Sequence, residues 1–107
     1  MTDFRDRERA EEAKFALDEE TAFRILARRN RLLGQWAAER MELTAEESDA
    51  YGKAVVHAEF EEGGDEAVIR KVLGDLIAAG CDLDEPAVRG ALEEKSVEAK
   101  RQLMSES

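Results

Sequence analysis

Few residues in this chain could do chemistry on their own. His57 is its one histidine and Cys81 its one cysteine. Imidazole catalysis and zinc binding both require further bases or ligands held nearby. No cysteine or acid stands near His57 in a ligand pattern, so it reads as a surface or boundary histidine. Cys81 follows the expected end of a helix. It does not precede a helix N-terminus, where a thiol pKa would be lowered, and this argues against a reactive thiol. One cysteine cannot build an intramolecular disulfide, which fits a reducing cytoplasm. Gly63-Gly64-Asp65 has the glycines of a phosphate loop, but no strand-like run precedes it and no Gly-Lys-Ser/Thr follows. Carboxylates are too numerous for a catalytic pair to stand out: 26 Asp and Glu face 16 Lys and Arg, a net charge of −10. The sequence therefore predicts no catalytic residue, no metal site and no resident cofactor. It does not read as an enzyme.

Binding is the better class, and the elements that would present a binding surface are legible. At 107 residues the chain makes one domain at most. Its longest apolar run, 76–79, is far short of the roughly 20 residues of a membrane helix. The opening Met1-Thr2-Asp3-Phe4-Arg5 has no signal-peptide character. Ala, Glu, Leu and Arg dominate, and all are strong helix formers. Thr44-Ala45-Glu46-Glu47 reads as a capping box. Asp65 is expected to cap a run that Gly80 closes, and Asp84 to cap one with Pro86 in its first turn. Leu83 and Val88 have the spacing of a hydrophobic staple. Helices are predicted at roughly 19–42, 45–61, 66–79 and 85–103, good to about ±2–4 residues at their ends.

Apolar positions recur with helical period. Ala22, Ile25, Leu26, Leu32, Leu33, Trp36 and Ala37 form the first stripe. Tyr51, Val55 and Ala58 form the second, Ile69, Leu73 and Leu76 the third, and Val88, Ala91, Leu92 and Ala99 the fourth. Trp36 is expected in the core, and Gly34 to mark close approach of another helix. Short connections make neighbours antiparallel, so the expected fold is all-α, a small four-helix bundle over residues 19–107. Residues 1–18 differ. Ten are charged, and only Phe4, Phe15 and Leu17 are large and apolar. Pairs such as Asp3/Arg7 support a helix by about 0.2–0.5 kcal/mol each. Ordering costs ~1–2 kcal/mol per residue, so this helix-capable leader is expected to be mobile until a partner supplies a surface.

Charge is unevenly spread. The excess of acid lies beyond residue 43, while Arg24, Arg28, Arg29 and Arg31 form a basic cluster. Nucleic-acid binding needs a larger basic face that releases several counterions, and pairing with the chain's own acidic helices is the favoured reading.

Several segments resemble one known family. Phe4-Arg5-Asp6-Arg7-Glu8, Glu12-Ala13-Lys14-Phe15-Ala16 and Asp18-Glu19-Glu20 resemble the opening of the zeta subunit of alphaproteobacterial F-type ATP synthases. The run from Ala27-Arg28-Arg29-Asn30-Arg31 through Gln35-Trp36-Ala37-Ala38-Glu39 is similar to that family's central stretch. Phe60-Glu61-Glu62 with Gly64-Asp65-Glu66 resembles its second turn, although relatives often carry proline where this chain has Gly63. The resemblance implies a four-helix bundle whose N-terminal segment inhibits ATP hydrolysis by entering a catalytic interface between alpha and beta subunits, beside gamma. Carried over by position, Phe4 and Phe15 would be apolar anchors, and Arg5, Arg7, Arg9 and Lys14 would pair with acidic subunit surface. The protein would be monomeric when free and cytoplasmic, peripheral to the inner membrane through the synthase. The alternative function is a weak adenine-nucleotide-binding regulatory bundle, with ADP or ATP phosphates held by Arg24, Arg28, Arg29 and Arg31.

Overall fold

The computed structural model describes the backbone of residues 2–106 and the side chains of residues 19–61 and 63–106. Its elements are four helices: α1 (Thr2–Arg40), α2 (Ala45–Glu62), α3 (Asp65–Ala78) and α4 (Glu85–Glu106). The expected all-α bundle is what forms. α1 packs most extensively on α2 and α4, while α3 bridges α2 and α4 and touches α1 across the diagonal. Helical residues beyond the expected boundaries lengthen α1 at its start and α4 at its end. α1 begins at Thr2 rather than near residue 19, since nothing between Thr2 and Arg40 breaks a helix except Gly34. The mobility expected of residues 1–18, and the binding roles of Phe4, Arg5, Arg7, Arg9, Lys14 and Phe15, rest on side chains that lie outside the described residues.

The helix ends follow local chemistry. Thr44 and Glu47 form the reciprocal capping box, with the Glu47 amide donating to Thr44 Oγ1 at 3.2 Å and the Thr44 amide to Glu47 Oε1 at 2.9 Å. Asp84 caps α4 by accepting from the Ala87 amide at 3.0 Å. α1 and α3 close with the same paired pattern. The Leu43 amide reaches Ala38 O and the Glu42 amide reaches Glu39 O; likewise Cys81 reaches Leu76 O and Gly80 reaches Ile77 O. This motif puts one residue in the left-handed region. Gly80 serves at φ 82, whereas at the end of α1 the position falls to Glu42 at φ 58. Asp65 does not cap α3. Gly64 occupies the cap with no side-chain bond, so Asp65 is already helical and its carboxylate is free to pair elsewhere.

The core joins Leu33 and Ala37 of α1 to Val55 of α2, Val68, Ile69, Val72 and Leu76 of α3, and Val88, Ala91 and Leu92 of α4. The fourth stripe is buried as expected, including Ala99. In α1 the buried face is instead Arg29, Asn30, Leu33, Gly34, Ala37 and Ala38. Ala22 and Leu26 are exposed, and Trp36 is half-buried against the core with Arg40 over its ring at 4.1 Å.

Gly34 does mark a close helix crossing. A Cβ there would lie 2.7 Å from Gly52 Cα and 3.1 Å from Gly52 N. Both are backbone atoms, so neither helix can yield locally. Gly34→Ala gains helix propensity of about 1 kcal/mol, but overpacking costs about 1–3 kcal/mol. A lower melting temperature is expected. Gly74→Ala and Gly90→Ala meet nothing within 4 Å and should raise it. If all three variants shift the melting temperature in the same direction, the crossing is not as tight as the distances state.

Candidate partner-binding surface

Helical geometry divides the arginine cluster. Arg24, Arg28 and Arg31 lie three or four residues apart and share a face, whereas Arg29 sits about 100° round the helix from Arg28. Arg29 is buried and points the other way. Its Nη2 lies 3.2 Å from one Glu59 oxygen and 3.0 Å from Asp65 Oδ1, and its Nε donates to Asn30 Oδ1 at 3.0 Å. Asn30 Nδ2 in turn donates to Glu59. This knot ties α1 to α2 and α3, and it gives Asp65 the partner that replaces its expected cap. Arg29 is therefore structural, and the structure does not bring it together with the other three arginines.

Those three line a groove of about 560 Å³ where α2 and α4 flank α1, together with Phe23, Ala27, Lys53, Val56, Leu103 and Glu106. Each guanidinium is already matched by a carboxylate. Arg24 pairs with Glu20 at 3.2 Å, Arg28 with Glu106 at 2.8 Å and Arg31 with Asp49 at 3.2 Å. The hydrogen bond from Arg28 holds the Glu106 carboxyl below its ordinary value, and Lys53 and then Arg31 do the same for Asp49. The expected pairing of the cluster with the chain's own acids is what the geometry contains.

An aromatic pair, one ring of which lines the groove, has no local signature in the sequence. Phe23 and Phe60 are exposed, and their rings meet at 5.0 Å between centroids, tilted by 45°. Phe23 stands outside the stripe read for α1, and nothing in sequence relates it to a residue near the end of α2. The other singled-out residues sit apart from this surface. His57 is exposed and paired with Glu61 at 2.9 Å, and Cys81 Sγ donates to Arg40 O at 3.3 Å. Burial, and then the hydrogen bond to Asp75, push the Tyr51 hydroxyl above its usual value in a contact joining α2 and α3. Among the described residues, no group of three or more His, Cys, Asp or Glu could hold a metal ion, and no helix is long and apolar enough to cross a membrane.

A four-helix bundle that presents an apolar groove lined by arginines defines a helical binding protein. The family profile of ATPase inhibitor subunit zeta matches residues 1–102. The chain belongs to the ATPase inhibitor subunit zeta family. As a member it is a regulatory protein rather than an enzyme, with an inhibitory role and an association with the ATP synthase. A protein whose structure was determined by solution NMR is 46% identical over 79% of this chain and 96% of its own, with a TM-score of 0.70. The curated proteins contain no match.

Proposed function

We propose that the chain inhibits ATP hydrolysis by inserting residues 1–18 into a catalytic interface between alpha and beta subunits, beside the gamma stalk. The observation that carries this reading is where burial begins in α1. Among its described residues, none before Arg29 is buried, although the helix is continuous. The core formed by the described residues takes its α1 members from Leu33 and Ala37, which leaves the start of the helix for another protein. A wedge of this kind inhibits by differential affinity: it binds one closing state of the interface better than the next and holds the cycle there. Phe4 and Phe15 supply the apolar anchors, and Arg5, Arg7, Arg9 and Lys14 pair with acidic subunit surface. Phe4→Ala and Phe15→Ala should each cost about 1–3 kcal/mol of binding, a rise of roughly 5- to 150-fold in the half-inhibiting concentration. ATP hydrolysis by the cognate catalytic head measures it. Unchanged inhibition by both variants refutes the anchors.

A second reading is weak adenine-nucleotide binding in the groove. Arg24, Arg28, Arg31 and Lys53 offer cations for phosphate, and Phe23 offers a ring for stacking. Their internal ion pairs must be exchanged for phosphate contacts, which keeps such binding weak. Titration with ADP and ATP should shift amide resonances along residues 23–31 and 53–56 only at high concentration. Submicromolar affinity, or shifts confined to other residues, would contradict this reading.

A further inference from the structure

The geometry points to a second contact on the inhibited enzyme: the Phe23–Phe60 pair and its basic rim dock the bundle onto the catalytic head beside the point where the leader enters. The inference rests on the leader reading and extends it. Phe23 is 51% and Phe60 57% exposed, yet they stack on each other across α1 and α2. Paired aromatic rings held on two packed helices are preorganised for an interface core, because little side-chain freedom is left to lose on binding. The strip continues into the groove through Val56 of α2 and Leu103 of α4.

Continuity decides the occupant. Phe23 lies five residues beyond Asp18 on an unbroken helix, about 7.5 Å along its axis. A helix that delivers residues up to Asp18 into a subunit interface cannot hold Phe23 far from the same subunits. Charge gives the chemistry of the partner. Arg24, Arg31 and Lys53 on the rim are held by Glu20 and Asp49, and Glu106 also lines the groove, so carboxylates of the partner would take the place of Glu20 and Asp49 in these exposed pairs. Arg24 and Lys53 are two-thirds exposed. The matching surface on the head is an apolar side chain flanked by carboxylates.

The test uses the full chain with Phe23→Ala/Phe60→Ala and, separately, Arg24→Glu, assayed against ATP hydrolysis by the cognate head beside the Phe4→Ala and Phe15→Ala variants. The double variant should raise the half-inhibiting concentration about tenfold with helical content unchanged. Arg24→Glu should weaken inhibition less, and the loss should shrink as salt is raised. If the leader variants lose inhibition while the double variant and Arg24→Glu inhibit like the parent chain, the docking inference is overturned and the leader reading stands. If the leader variants inhibit normally and the groove variants do not, the leader reading fails and the docking surface stands alone. Sedimentation of the free chain supplies the last arm. A dimer that Phe60→Glu converts to monomer assigns the patch to a second copy and overturns the proposal; a monomer in both supports it.

Discussion

A chain lacking residues 1–18 is expected to lose inhibition of ATP hydrolysis while its bundle stays folded. The warrant is the distribution of burial. The core draws on Leu33 and Ala37 of α1 and on residues of the other three helices. Its polar knot begins no earlier than Arg29. Because every core residue among those described lies beyond position 18, the truncation should change global stability by about 1 kcal/mol or less, as for surface changes. Circular dichroism and a thermal melt report the fold, and hydrolysis by the cognate head reports inhibition. A truncated chain that inhibits as well as the intact one would place the wedge elsewhere. A truncated chain that fails to fold would show that the first turns of α1 contribute to the bundle after all.

Glu59→Ala should be among the most damaging single changes to the fold. Glu59 accepts from Arg29 with both carboxylate oxygens, at 3.3 and 3.2 Å, and from Asn30. The side chain of Arg29 is 6% and that of Glu59 14% exposed, so water cannot take over their bonds. Truncation leaves the Arg29 charge with only the more exposed Asp65 and the Asn30 oxygen, and it strands the Asn30 amide. Losing one partner of a buried pair costs about 3–5 kcal/mol. Glu59→Gln keeps hydrogen-bonding capacity and should cost less. Glu20→Ala, which breaks only the exposed pair with Arg24, should cost under about 1 kcal/mol. Urea unfolding ranks the three. Equal losses from Glu59→Ala and Glu20→Ala would mean that the knot contributes no more than a surface pair.

Much of this fold is written locally, and those parts could be read in advance. Thr44 with Glu47, Asp84 before Pro86 and Gly80 after Ala78 each act within four residues of their partners, so type and spacing suffice. Gly34 was legible as a candidate only, since a glycine inside a helix can mark a neighbour too close for a Cβ, as Gly52 is here, whereas Gly74 and Gly90 have open space. The errors arise where the deciding partner is distant in sequence. Arg29 and Asn30 are polar, so periodicity does not place them in a core stripe, and Glu59, thirty residues on, is what makes their burial tolerable. Asp65 looked like a cap because its alternative partner lay on α1. The association with the ATP synthase became legible through likeness to a family, whereas the Phe23–Phe60 pair emerged only once α1 and α2 were side by side.

The crossing of Gly34 and Gly52 also has a mechanical meaning. From Gly34 to Thr2 the helix is a lever arm of about 48 Å, and the glycine pair is its fulcrum. A tilt of about 5° at the fulcrum moves the tip by roughly 4 Å, nearly the width of a side chain. Two backbones in direct contact leave no compressible side chain between them, so the pivot has little slack. A load on the tip is passed to the bundle as torque, and the Arg29–Glu59–Asp65 knot, less than two turns from the pivot, is the brace that resists it.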